Sequence, residues 1–470
     1  MSHFVNTSAS TLTIAWEKIR QILIHWLESS LNSKAHRVFL RAEVSINETC
    51  DPLMWLNCQP HAVKLYWEER EGRLCFAGIG SADEIIRTDK PDYTGVYQNI
   101  EKSLRQASDN VKYFGGFSFN GRPESPWSGF DCSRFILPKF ELYTNPQGTF
   151  AAVNVIHHGD DALHSISRTL EDGELLNKEI SDFPQLHPSV VKRDDLPNHD
   201  DWLSVVHQGI TDIKAKHYQK IVLARESIFT LDQTVNPCVL LNRLREITSS
   251  CTCFLLQFDP QKIFLGASPE RLFHLNGEKL ATEAIAGTRA RGVSPADDRV
   301  LRENLLNSVK DREEHRHVVE MIRDQLTPLC RDIQHVPSPQ LLSLMSGHHL
   351  ATKFSAELKP DVSCADILSG LHPTPAVAGT PTEQALVAIR KLEPFNRGWY
   401  AAPVGYIGRD SSEFIVAIRC GLLDEKTLHL YSGAGIVEGS DPQAEWEEIE
   451  HKIEQFLRIF QNESEHITKS

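Results

Sequence analysis

The chain has 470 residues, of which 41% are hydrophobic and 24% charged, a composition that excludes disorder and allows a large core without staples. Lysine and arginine number 49 against 63 aspartates and glutamates, a net charge of −14. That balance argues against nucleic acid or an anionic membrane as the main partner, since either asks for a basic face.

Near the start, Ile14, Trp16, Ile19, Ile22, Leu23, Trp26 and Leu27 recur at helical spacing and are interrupted by Glu17, Lys18, Arg20 and His25. A secretory segment would be uninterrupted, so this reads as an amphipathic helix docking on the body. No apolar run approaches the roughly 18 residues of a membrane span. The ten cysteines are scattered, with only Cys251 and Cys253 close together, so neither a zinc site nor a disulfide framework is expected and a reducing cytoplasm is.

Strand-like runs follow at Val38–Val44, Ala62–Trp67, Phe117–Phe119 and Phe135–Leu142. The stretch 180–200, with Pro184, His187, Pro188, Asp194, Asp195, Pro197, Asn198 and Asp200, reads as a loop. Beyond it, strands are predicted at Ile221–Ala224, Phe254–Phe258, Ile263–Ala267, Phe414–Ile418 and Leu428–Ser432. Helices are predicted over about 201–217, 295–329, 382–391 and 442–462. This is not a regular βαβ alternation, so the fold class is α+β with large antiparallel sheets. Residues 1–199 and 200–465 are expected to form two portions of one integrated domain, because no repeat or low-complexity linker divides them. Gly433-Ala-Gly435 lacks the further glycine of a phosphate-binding fingerprint.

Two helices carry paired carboxylates. The last opens with Asp441-Pro442, an N-cap followed by proline at the first helical position. At 100° per residue, Glu445, Glu448 and Lys452 fall along one edge of its apolar stripe of Trp446, Ile449, Ile453, Phe456, Leu457 and Phe460. A solvated acidic first turn is the better reading of the pattern alone. In the helix begun by Ser294-Pro295, Asp311 projects onto the apolar stripe and Glu314 onto its margin. A carboxylate there asks for a partner or a cation. Arg312, His315 and Arg316 offer ion pairs; magnesium, which takes one or two carboxylates and keeps water, is the alternative. Lys220 begins a strand, and Glu270 ends the turn Gly266-Ala-Ser-Pro-Glu270; either alone reads as a surface residue.

Taken together, the segments Lys220–Arg225, Gly266–Leu272, Thr282–Arg289, Asp311–His315, His349-Leu350, Gly398–Tyr406, Ile418-Arg419, Gly433–Val437 and Ser440–Lys452 resemble, in order, the chorismate-utilising enzymes. These are the isochorismate, salicylate, anthranilate and aminodeoxychorismate synthases. The resemblance implies one large α+β unit with two antiparallel-rich sheets flanked by helices. It also implies a Mg2+-dependent enzyme acting on chorismate. Lys220 stands where isochorismate and salicylate synthases have a lysine that activates water, and Ala286 where aminodeoxychorismate synthases have a nucleophilic lysine. Arg397–Tyr400 followed by Pro403–Tyr406 looks like the menaquinone-specific isochorismate synthases.

The implied reaction adds water at C2 of chorismate and removes the C4 hydroxyl. Lys220 is the implied base and Glu270 the implied acid, each suited to its task only in a tuned environment. Glu314 and Glu448 are the implied metal ligands, with Asp311 and Glu445 behind them. Arg419, Lys452, Gly433, Gly435, Thr288, Gly287, His349 and Tyr406 are the implied substrate contacts. No glutaminase subunit is expected. The rival readings are a salicylate synthase, a siderophore-pathway isochorismate synthase, an aminating synthase and a non-catalytic chorismate binder.

Overall fold

The computed structural model describes residues 3–29, 37–105, 107–108, 110–158, 161–176, 179–185, 188–344 and 347–460. His187 and residues 461–465, named above, lie outside the described residues. In chain order the elements begin β1 (His3–Ala9), α1 (Leu12–Ser29), β2 (Val38–Ile46), α2 (Pro52–Asn57), β3 (Lys64–Glu68), β4 (Cys75–Ile79), β5 (Asp83–Arg87), α3 (Tyr93–Leu104) and β6 (Lys112–Phe117). Then come β7 (Ser133–Leu137), β8 (Phe140–Asn145), β9 (Gly148–His157), α4 (Ala162–Glu174), β10 (Val190–Leu196), α5 (His199–Lys214), β11 (Lys220–Leu231) and α6 (Pro237–Ile247). The middle holds β12 (Thr252–Gln257), β13 (Lys262–Ser268), β14 (Arg271–Asn276), β15 (Lys279–Arg289), α7 (Pro295–Asn307), α8 (Val309–Leu326), β16 (Cys330–His335), β17 (Gln340–Leu344) and β18 (Gly347–Leu358). The rest are α9 (Cys364–Leu371), β19 (Gly379–Thr380), α10 (Thr382–Leu392), β20 (Pro403–Gly408), β21 (Ser411–Val416), β22 (Cys420–Asp424), β23 (Thr427–Ile436) and α11 (Pro442–Leu457).

These strands make two sheets, and the fold is α+β as the mixture of elements suggests. One sheet of 13 strands runs β1-β2-β9-β8-β4-β3-β12-β13-β22-β23-β11-β10, with β19 beside β11. The other, of 10 strands, runs β16-β18-β15-β14-β21-β20-β6-β7-β5, with β17 beside β18. Apart from β1 with β2, the pairings among the described residues are antiparallel. Both sheets take strands from either side of residue 199. No helix among the described residues is long and apolar enough to cross a membrane.

Helix α1 docks as its periodicity suggests, burying Leu12, Ala15, Trp16, Ile19, Leu23 and Trp26. Trp16 stacks on Trp55 at 5.9 Å between ring centroids, while Ile14 faces solvent. Two expectations are corrected. The supposed loop at 180–200 contains β10, an edge strand whose Lys192, Arg193, Asp194 and Asp195 lack the apolar alternation that marks an inner strand. The supposed single helix over 295–329 is two, because Ser308 takes an extended backbone and caps α8 by accepting the Asp311 N–H at 3.3 Å. That break puts Asp311 in a first helical turn.

Helix α11 is fastened to β11. Arg225 on β11 is fully buried, lies 3.9 Å from the centre of the Trp446 ring, and is ion-paired with Glu450. Arg193 on β10 donates to the same carboxylate at 2.9 Å. Truncating Glu450→Ala leaves Arg225 with Asp195, 3.5 Å away, as its remaining ion-pair partner. Breaking a buried pair from one side costs about 3 kcal/mol. The urea midpoint of Glu450→Ala is expected to fall accordingly; an unchanged midpoint contradicts this anchoring role.

Candidate active site

Lys220 opens β11, where it pairs with Thr380 of β19, and β11 runs antiparallel to β23 with Val222 opposite Gly435. A Cβ on Gly435 would lie 3.0 Å from Lys220 Cε and 3.5 Å from its Nζ. Glycine there leaves the space the lysine occupies. Behind the lysine, β11 is braced from one side. Glu393 accepts the Ala224 N–H at 2.8 Å, and Arg397 donates to the carbonyls of Val222 and Val377 at 2.8 Å each. Arg397, at the head of the Arg397–Tyr400 segment, is therefore a strut of the lysine's strand.

Glu270 stands just past β13, held through its main chain. Its N–H donates to Ser268 Oγ at 3.2 Å, and its carbonyl accepts the Val416 N–H at 3.0 Å. Burial, reinforced by the nearby Glu283 carboxylate, pushes Glu270 up to about 7, while the Lys220 charge pulls the other way. The amine is therefore close enough to the carboxyl group for its charge to be felt there. Glu283 on β15 is itself gripped by both arms of Arg70, at 2.6 Å each. Sequence reading assigned no role to Glu283 or Arg70. They lie 213 positions apart, and neither spacing nor periodicity connects them.

A second group of side chains is cationic. Arg419 has a left-handed backbone (φ 54°) and donates to Gln455 of α11 at 2.8 Å. Burial holds its guanidinium below the usual range. Lys452 donates to the Gly433 carbonyl at 2.8 Å and to Glu448 at 2.6 Å; burial lowers it despite that carboxylate. A Cβ on Gly433 would come within 3.2 Å of the Tyr400 hydroxyl. His349 on β18 is pushed down to about 4 by burial and by the charges of Arg419 and Lys452, so it is neutral at pH 7. Its Nδ1 is 3.0 Å from the Thr288 hydroxyl. Beside Thr288, Gly287 sits in a bulge of β15 at φ 74°, where a Cβ would meet Asp311 Cβ at 3.3 Å. The neighbourhoods of Arg419, Lys452, His349, Thr288, Gly287 and Asp311 are thus continuous.

Tyr406 does not join them. It is 2% exposed, packs edge-on to Trp67, and donates to Glu69 at 2.9 Å. The expected substrate contact is a core residue, because the inward face of β20 meets the other sheet.

The acidic residues come as pairs on α8 and α11. Asp311 is nearly buried and held by Arg289, one of whose arms reaches Oδ1 at 3.2 Å; burial opposes its charge, but Ser308 and Arg289 outweigh it and keep it below the usual range. Its ion-pair partner is thus neither Arg312 nor Arg316. Glu314, on the next turn, is exposed. On α11, Glu445 is raised by burial and by its neighbour Glu448. Among the described residues no three His, Cys, Asp or Glu converge as a ready shell. The carboxylates of Glu314 and Glu448 are nevertheless the hard oxygen donors that suit magnesium, which fills most of its shell with water and substrate oxygens. They do not suit a metal that needs a complete protein cage.

With this geometry in view, the comparisons identify the family. The family described as chorismate binding enzyme matches residues 25–461. The chain belongs to the chorismate-binding enzymes. This chorismate-binding enzyme is similar to isochorismate synthase MenF of Bacillus subtilis (strain 168), at 32% identity over 95% of this chain and 98% of that one. It is also similar to isochorismate synthase MenF of Escherichia coli (strain K12), at 29% identity over 89% and 92%. The solved structure of MenF, the menaquinone-specific isochorismate synthase from Escherichia coli, superposes with a TM-score of 0.84 at 27% identity, covering 96% of this chain and 100% of that one. Anthranilate synthase component I from Streptococcus pneumoniae TIGR4, at 20% identity and a TM-score of 0.66 over 83% and 92%, shares the fold.

The fit between Gly435 and Lys220 gives a direct test. A Gly435→Ala variant is expected to displace the amine and lower turnover roughly 10- to 100-fold, with a melting temperature close to that of the parent. Turnover equal to the parent contradicts a role for the lysine at this position.

Proposed function

We propose that the protein is an isochorismate synthase that interconverts chorismate and isochorismate. The observation that supports the reading is a buried carboxyl group just past β13, raised to about 7, that feels the charge of the amine at the start of β11. In the forward direction Lys220 takes a proton from the water that attacks C2. The ring double bonds shift, and Glu270 delivers a proton to the C4 oxygen as that bond breaks. A carboxyl group raised by burial and by a like charge still holds its proton near neutrality, which a leaving hydroxide requires.

Arg419 and Lys452 supply buried positive charge for a substrate carboxylate, and neutral His349 and Thr288 supply hydrogen-bonding groups beside them. Glu314 and Glu448 would hold the magnesium ion, which when bound takes up a substrate carboxylate and withdraws charge from the ring. Glu445 and Asp311 would stand behind them, although Asp311 is already paired with Arg289. Ala286 offers no nucleophilic amine, which favours addition of water over amination and leaves no need for a glutaminase partner. Relatives named as MenF support a place in menaquinone biosynthesis.

Purified protein, chorismate and magnesium are expected to give isochorismate, resolved by chromatography, without stoichiometric pyruvate or salicylate. Lys220→Ala and Glu270→Gln are each expected to lower turnover by about 10²–10⁴. Because Glu270 must carry its proton, the forward rate is expected to fall as pH rises through about 7. Pyruvate released in step with product, or parental turnover in either variant, contradicts the reading.

A further inference from the structure

We infer that Glu283, gripped by Arg70, is a positioning residue for Glu270: an ion pair between distant parts of the chain that holds the acid's turn and sets the charge it faces. The inference rests on the reading of Glu270 as the acid. Arg70 lies in the tight turn between β3 and β4, closed by the Glu69 N–H donating to the Leu74 carbonyl at 2.9 Å. Its two Nη atoms each reach one Glu283 oxygen at 2.6 Å, and Nη1 also donates to the Pro269 carbonyl at 3.2 Å. Pro269 immediately precedes Glu270. One guanidinium therefore ties the turn that carries the acid to the carboxylate whose charge reaches it.

The surrounding charges are accounted for. Glu270 feels the charges of Glu283 from β15 and Lys220 from β11. Glu283 has Lys353 opposite it on β18 and borders, with Arg70, a cavity of about 650 Å³ that also includes Glu71, Arg73, Arg271 and His335. Arg271 is engaged elsewhere, donating to Glu413 at 2.7 Å and to Glu71 at 2.9 Å. Arg70 is thus the cation bonded to Glu283, though it shares its Nε with Glu71 at 3.2 Å. A bare carboxylate beside Glu270 would hold the acid's proton too tightly to release; a fully cancelled one would let it go too early. The fork of Arg70 leaves the charge between these limits.

The test is the pH dependence of kcat for isochorismate formation in two variants with opposite expectations. Glu283→Gln removes the like charge and is expected to move the alkaline limb down by roughly one pH unit. Arg70→Gln uncovers that charge and is expected to move it up, with Arg70→Lys restoring the parental position in part. A merely structural pair would lower kcat at every pH and leave the limb in place. Should Arg70→Gln fail to fold, Glu283→Gln decides alone: a limb unmoved or shifted upward overturns the inference. If Glu270→Gln is inactive and this limb stays put, the inference falls while the acid assignment stands. If Glu270→Gln keeps parental turnover, both fall.

Discussion

A carboxyl group that keeps its proton near neutrality must be shielded from water yet remain within reach of the group it serves. Here that constraint is met by a sheet. Glu270 follows β13 and Lys220 begins β11, and the two strands are joined through β22 and β23. Antiparallel register fixes which way Lys220 faces, since a slip of one residue would turn it to the other side, while Glu270, in the turn past β13, is set by its main-chain bonds to Ser268 and Val416. Gly435, Gly433 and Gly287 clear the places where neighbouring side chains must lie, and Arg397 with Glu393 braces β11 against movement.

The charges are then divided between two ends. Around Glu270, burial and Glu283 favour the neutral acid. Around Arg419 and Lys452, burial is tolerated because each finds a polar partner, Gln455 for one and Gly433 with Glu448 for the other. Those cations in turn keep His349 neutral. Under the proposed reading, a substrate with two carboxylates and a ring hydroxyl would direct its anionic groups toward the cations and its departing oxygen toward Glu270. The acids on α11 owe their position to the buried clasp of Arg225, Glu450 and Trp446 rather than to their own helix.

Much of this was legible along the chain. Periodicity located α1, α5, α10 and α11, and runs of apolar residues located β2, β3, β11, β12, β13, β21 and β23, but not β14 to β20 or β22. Helical projection placed Asp311 inward and Glu445, Glu448 and Lys452 beside the apolar seam; Asp311 is buried and Glu445 and Lys452 are half-buried, whereas Glu448, and Glu314 on the margin of α8, are exposed. What could not be read depends on partners remote in sequence. Arg70 meets Glu283 across 213 positions and Arg225 meets Glu450 across 225. The inward turn of Tyr406 and the pairing of Asp311 with Arg289 are likewise matters of packing. Strand β10 escaped because an exposed edge strand carries no hydrophobic alternation, and the break at Ser308 because a serine cap is indistinguishable from a serine within a helix until the backbone turns.

The most direct measurement is the protonation state of Glu270 itself. It can be followed in 13C-glutamate-labelled protein by carboxyl NMR across pH, with Glu270→Gln identifying the resonance. A midpoint near 7 is expected, against an ordinary value of 4.5. A resonance titrating at that ordinary value would mean the carboxyl group is ionised under working conditions and cannot protonate the leaving oxygen.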